Sequence, residues 1–361
     1  MMKLSLHNLV LLIIYESPWR EILLKWLGDI PFLPVDNVMG SDNLARRVLK
    51  VYHATKLPIY GMRELDKGIL IGSDSLLDRR YGVLLRAPNE SEIHLYATNP
   101  CLEWLIWSLQ LLLLQAHCTF IHAAGIETAG RAILFPSWGG VGKTSLSQYF
   151  VEHLGWRLLG DDLVILSEQG ICYSFPKPLV IYPYHREIFP KVFANGYGPV
   201  IPETLNPLVA RLIRRTKPLL RRFPKVLQLA REWNPQSVRI APSMVYGMQR
   251  LALTSRVAAV VWLDRSKESA KPSIVPLTIG AIASKIAGST LYELDSWCGR
   301  LVNVASGVGL LPFRSVYCNW IDTLERGLKE AATYAIQLPV DIAQKEFPII
   351  VKRMLAELGI V

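Results

Sequence analysis

The sequence predicts an α/β protein, in which a mixed sheet carries a phosphate-binding loop and a smaller, mainly β region precedes it. Three observations predict this. An apolar strand (Ala132, Ile133, Leu134, Phe135), a glycine-rich turn at 139–142 and an amphipathic helix with Leu146, Tyr149, Phe150 and Leu154 follow one another directly. Residues 1 to about 98 instead carry short β-branched or leucine-rich runs bounded by turn residues. The 361 residues, 51% hydrophobic and 19% charged, exclude a disordered chain and suffice for one large core or two moderate ones without disulfides or metal.

In chain order, residues 9–15 read as a buried first strand. A secretion leader is not expected there, because Glu16-Ser17-Pro18-Trp19-Arg20 stands where small cleavage-site residues belong. Strands follow at 69–71, 81–86 and 92–96, and 101–116 reads as a largely buried helix, being too long for a strand and poor in polar residues. Residues 119–124 and 131–135 form two strands joined by a turn at Glu127 to Gly130, and a helix occupies 143–153. Strands come next at 156–159 and 163–166, with Gly170 turning the chain toward 171–175. The proline-, tyrosine- and glycine-rich stretch 176–207 predicts an irregular excursion in which Tyr182, Tyr184, His185 and Arg186 can shape a substrate cleft. Residues 257–263 predict a core strand, 276–288 a helix of small and apolar residues, and 323–333 and 340–358 two closing helices. The division that follows is an N-terminal α+β region over 1–115, a candidate for substrate recognition, and a nucleotide-binding catalytic domain over 116–361.

A mean hydropathy of +0.25 calls for a membrane check. The longest apolar stretches are 9–15 and 102–116, the latter broken by Glu103, Ser108, Gln110 and Gln115. Neither reaches the roughly 18 uninterrupted residues of a membrane-spanning helix. The five cysteines are scattered without a paired C-x-x-C unit, so free thiols and a cytoplasmic location are expected. Most of the net charge of +10 lies in one window: Arg211, Arg214, Arg215, Lys217, Arg221, Arg222, Lys225 and Arg231, with no acidic residue among them. Pro218 and Pro224 divide this window into short helical pieces. It reads as a clamp for an anionic substrate, as a contact for nucleic acid or anionic lipid, or as a solvated surface.

The sharpest chemical signal is Ser137-Trp138-Gly139-Gly140-Val141-Gly142-Lys143-Thr144, followed by Ser145. It matches G-x-x-x-x-G-K-[ST] except that Ser137 stands at the first glycine. In such a loop successive backbone N–H groups and a helix N-terminus wrap phosphate, the lysine offsets phosphate charge and the hydroxyl meets Mg²⁺. Asp161-Asp162 follows one strand later, and two adjacent carboxylates at a strand end call for a cation or a proton to relieve them. His122 lies in an apolar strand before the loop, as a hydrogen-bonded core residue or a modulator of an aspartate.

Together, Ile121-His-Ala-Ala-Gly125, the loop and its strand (132–145), and Leu154-Gly-Trp-Arg-Leu-Leu-Gly-Asp-Asp-Leu-Val164 resemble the HPr serine kinase/phosphorylase family. More broadly they resemble proteins that share its core with phosphoenolpyruvate carboxykinases. The resemblance is close over about 120–175 and looser toward 350. It implies a kinase-like mixed-sheet core, ATP and Mg²⁺ as cofactors, nucleotide binding by residues 137–145, and catalytic roles for Lys143, His122 and Asp161. Thr144 and Asp162 would stand on the metal side, with the division of labour between the two aspartates open. The family's downstream glutamate-containing, glycine-rich signature is missing, and 1–115 shows no match to its regulatory domain, so HPr itself is not the expected acceptor.

The expected activity is an ATP-dependent kinase acting on a hydroxyl, of serine type, in a peptide, protein or small metabolite. The alternatives are a non-catalytic ATP-binding regulator on nucleic acid or an anionic membrane surface, and an RNA-directed phosphotransferase. Homo-oligomerisation stays open.

Overall fold

A computed structural model describes the chain except residues 1, 8, 16–31, 35–46, 58–61, 67, 176, 195–236, 295, 308 and 310–315. The N-terminal part folds into strands β1 (Met2–Leu6), β2 (Val10–Ile14), β3 (Phe32–Pro34), β4 (Val48–His53), β5 (Arg63–Asp66), β6 (Ile69–Ile71), β7 (Ser75–Asp78), β8 (Val83–Asn89) and β9 (Glu92–Ala97), most of them rich in apolar residues. They form one sheet in the order β3-β1-β2-β4-β9-β8-β7-β6-β5. The run at 9–15 is therefore the second strand, paired antiparallel with β1 and parallel with β4.

Helix α1 (Leu102–Gln115) is apolar on nearly every side and is buried accordingly. It packs on β9, β4 and β2 and also on elements of the second sheet, so a single core cluster runs through both. Its polar atoms are satisfied within that core. Ser108 Oγ donates to Trp104 O (2.7 Å), Gln110 Nε2 donates to Thr119 Oγ1 (2.8 Å) and Trp107 Nε1 donates to Leu294 O (2.6 Å).

The second sheet is built from β10 (Cys118–Ile121), β11 (Ala123–Thr128), β12 (Arg131–Pro136), β13 (Arg157–Gly160), β14 (Val164–Ser167) and β15 (Ile171–Tyr173), with a short separate ladder of β16 (Leu179–Ile181) and β17 (Val238–Ile240). The long β18 (Thr254–Ser266) and then β19 (Ser273–Pro276) and β20 (Ala332–Pro339) complete it. Strands β12, β18 and β20 are parallel. Their side chains alternate between faces. Leu134, Val260 and Trp262 join the core shared with α1, while Ile133, Phe135, Val261 and Leu263 join a second core.

The second core is covered by α2 (Lys143–Leu154) and by the last helix of the chain. Between them lie α3 (Pro190–Ala194), α4 (Pro242–Tyr246), α5 (Ile279–Glu293), α6 (Ser296–Gly307) and α7 (Val316–Gly327), and α8 (Phe347–Glu357) closes the chain. Among the described residues, no helix is long and apolar enough to cross a membrane. All five cysteines are free.

Two expected helices differ. The stretch 323–333 divides, because Gly327 ends α7 and the chain from Ala332 enters the sheet beside β18. The C-terminal helix begins only at Phe347, with Pro348 in its first turn, where its missing N–H costs nothing. The excursion after 176 contains β16, a 3₁₀ turn (Pro183–His185) and α3, so it is less irregular than expected. The basic window from Arg211 to Arg231 lies outside the described residues.

Candidate functional site

Strand β12 runs parallel to β18, and the chain leaves its carboxyl end through residues 137–142 into α2. Gly140 and Gly142 have φ of +79° and +119°, left-handed values that suit glycine, and a Cβ on Gly142 would sit 3.0 Å from the Phe347 ring. Ser137 has no such φ, so its backbone makes no demand for glycine. Its buried hydroxyl instead donates to Trp138 O (3.1 Å) and accepts from Lys143 (3.2 Å).

Lys143 opens α2 and is buried; its Nζ also donates to Ser137 O and Trp138 O, both at 3.2 Å. Burial pulls its pKa down, while Asp162, Glu293 and Asp161 pull the other way. Val141 packs into the second core, and the Ser145 hydroxyl is buried without a partner.

Strand β13 delivers the two aspartates, and neighbouring residues at a strand end point to opposite sides. Asp161 is turned toward α2, where Thr144 Oγ1 donates to its Oδ2 (2.8 Å). Asp162 is turned toward His122, whose Nε2 lies 3.0 Å from its Oδ1, and toward the Lys177 ammonium, which pairs with its other oxygen. The resemblance puts Thr144 and Asp162 together on the metal side, with the roles of the two aspartates open. The hydroxyl meets Asp161 instead.

Burial pushes the Asp161 pKa up, against the opposing effect of the neighbouring Ser147 and Thr144 hydroxyls. Burial acts on Asp162 in the same direction, but the Lys177 charge and the His122 contact outweigh it and hold that carboxyl well below the usual range. His122 is fixed from behind by its backbone N–H, which donates to Thr290 Oγ1 (3.0 Å).

These groups share one cavity of about 280 Å³, lined by His122, Gly139, Gly140, Gly142, Lys143, Thr144, Asp161 and Asp162 on one side. Val180, Tyr182, Tyr184 and His185 come from the excursion, and Glu293 and Gln344 from α5 and the segment before α8. Arg186 does not line it; its guanidinium stacks 5.5 Å from the Phe193 ring. A larger cavity of about 570 Å³ on the outer side of α2 contains neither Lys143 nor the aspartates, so volume alone does not pick the site.

Asp161 Oδ1 is buried with no hydrogen-bond partner beside the Thr144 hydroxyl, a pair of hard oxygens suited to Mg²⁺. Among the described residues no three His, Cys, Asp or Glu side chains converge as a metal cage. The glycine turn and the start of α2 fit a phosphate group.

Lys177, Glu293 and Gln344 carry no sequence signal tying them to this site. They enter from segments about 15 to 180 residues beyond the aspartates, and only the fold joins them.

No family model and no curated protein matches the chain. Among solved structures it is similar to the Hpr(Ser) kinase/phosphatase from Coxiella burnetii, with 10% identity, 67% of this chain and 99% of that chain covered, and a TM-score of 0.30. The likeness is loose in shape as well as in sequence, so the chemistry of the site rests on its own side chains.

Proposed function

We propose that the chain is an ATP- and Mg²⁺-dependent phosphotransferase that delivers the γ-phosphoryl group to a hydroxyl. The observation that carries this reading is one cavity in which the glycine turn, Lys143 and Thr144 face Asp161, Asp162 and His122. A module that only held a nucleotide would have little use for the Asp162–His122 pair.

In this reading the loop N–H groups and Lys143 bind the phosphates, and Thr144 with Asp161 would hold the metal. Mg²⁺, when bound, offsets the charge of the phosphate oxygens. Asp162 is the proton acceptor, one of the two assignments that the resemblance leaves open. Its support is the pairing of Thr144 with Asp161, which leaves Asp162 facing His122 and the open side of the cavity. The acceptor oxygen forms a bond to the γ-phosphorus, the bond from that phosphorus to the bridging oxygen of ADP breaks, and the hydroxyl proton passes to the Asp162 carboxylate. His122 and Lys177 orient that carboxylate and keep it ionised. A weak base suffices, because transfer through a loose transition state moves the proton late.

The test separates the aspartates. Asp162→Asn should keep nucleotide binding and lower transfer by at least about a hundredfold. Asp161→Asn and Thr144→Ala should raise the Mg²⁺ concentration needed for half-maximal transfer. Equal transfer by wild type and Asp162→Asn would remove Asp162 from the chemistry, and nucleotide binding without transfer by the wild-type chain would favour the regulatory alternative.

A further inference from the structure

Glu293 is a carboxylate where a phosphate site should least welcome one. Its Oε1 accepts from the N–H of Gly139 in the phosphate loop (3.1 Å), and the carboxylate lines the same cavity as Lys143 and the aspartates. A Cβ at 139 would lie 2.9 Å from that oxygen, so a larger residue there would displace the carboxylate.

Two further features make the position unfavourable for an anion. Glu293 is the last residue of α5, a 15-residue helix with no basic residue in its last turn, so its charge adds to the negative end of the helix dipole. Among the described residues no lysine or arginine forms a direct ion pair with it, and the Lys143 ammonium in the same cavity acts on it only at longer range. Lys143 donates to loop carbonyls, Lys177 pairs with Asp162, and Lys285 sits 5.2 Å from the Trp262 ring.

The surroundings are aromatic. At the rim, outside the residues that line the cavity, Trp138 and Tyr292, the chain neighbours of Gly139 and Glu293, meet edge to face at 5.9 Å, and they are 44% and 66% exposed although both are large apolar side chains. On the other wall, Tyr182 and Tyr184 stack at 5.2 Å. A carboxylate hydrogen-bonded to the phosphate loop, a helix C-terminus and exposed aromatic rings all favour a cation.

We propose that Glu293, Trp138 and Tyr292 form a recognition subsite for a positively charged group on the acceptor, so that the phosphorylated hydroxyl is carried by a molecule with an ammonium or guanidinium nearby. This rests on reading the cavity as a phosphotransfer site. It also accounts for the cost of the carboxylate: the acceptor's charge offsets the repulsion between Glu293 and the nucleotide. The cation has two sources, a lysine or arginine beside a serine in a peptide, or the amine of a small hydroxylated molecule.

The experiment uses the full chain with ATP and Mg²⁺. Acceptors are serine peptides flanked by Lys, Arg, Ala or Glu, together with free L-serine and ethanolamine. The expected result is a preference of roughly tenfold in kcat/KM for cationic over neutral acceptors. It should fall to near one in Glu293→Gln, which keeps an acceptor for the Gly139 N–H but removes the charge. Trp138→Ala should reduce the preference and Trp138→Phe should keep most of it. The peptide and amine arms show which source is used. Equal use of cationic and neutral acceptors by the wild type overturns the subsite while leaving the phosphotransfer reading intact. So does a Glu293→Gln variant that binds nucleotide more tightly with its preference unchanged, which would make Glu293 a mere competitor of phosphate. A shift in Mg²⁺ requirement with unchanged preference would place Glu293 on the metal side and also overturn it. Failure of the wild type to label any acceptor would overturn both readings together.

Discussion

Lys143 spends its hydrogen bonds on the very loop it is expected to serve, with Nζ bent back onto Ser137 and Trp138. Burial lowers its pKa, and the nearby carboxylates are what keep an ammonium affordable there. The residues of this loop were legible in the sequence because a glycine turn between an apolar strand and an amphipathic helix is a local pattern. The partner of Thr144 was not legible, since which of two adjacent aspartates faces α2 depends on how β13 enters the turn. On the opposite wall, His185 accepts from the Tyr182 N–H at its Nδ1 (3.3 Å), and burial lowers its pKa from 6.5 to about 4. Between those values the unfolded chain takes up a proton that the folded chain refuses, so this residue's contribution to stability falls as pH drops from about 6.5 to about 4 and is flat below. Melting temperatures measured across that range should decline less steeply in His185→Gln than in the wild type. An identical slope in the two proteins would mean that His185 is protonated in the fold.

Among the elements, α1 shows how an all-apolar pattern is read. Its few polar residues marked it as buried, but the sequence did not say that it would be packed between two sheets. Trp107 is fully buried, stands edge-on to Trp320 at 6.1 Å and donates to the carbonyl of Leu294, the residue after α5. Trp107→Ala should therefore cost about 3–5 kcal/mol in denaturant unfolding, through the cavity and the lost hydrogen bond. A loss under about 1 kcal/mol would show that α1 is not a shared core element. The tail of the chain was harder to read. Gly327 lies inside a stretch whose spacing suits a helix, and Ala332 to Pro339 is strand because β18 offers a parallel edge far away in sequence. Tertiary pairing overrode local pattern there.

At the scale of the whole molecule, a β-rich N-terminal region and a mixed α/β sheet with helices on both faces share one continuous core, and the candidate site lies at the carboxyl end of β12 and β13. The two ends of that site are about 220 residues apart in sequence, from His122 to Gln344, which is why its near half could be read locally and its far half could not. Four of the five cysteines are buried in this architecture and none is paired. Alkylation of the denatured chain without reductant should modify five thiols by mass; fewer would contradict the free-thiol arrangement.

In the proposed reading this cavity moves phosphate from ATP to a hydroxyl. Incubation of the purified chain with γ-labelled ATP and Mg²⁺, against hydroxyl-bearing peptides, metabolites and RNA in parallel, tests it most directly when run beside Lys143→Ala. The account predicts label on a hydroxyl acceptor with the wild type and loss of most of that label with the variant. A wild-type chain that binds ATP but labels nothing, or a Lys143→Ala chain that transfers as fast as the wild type, would contradict it.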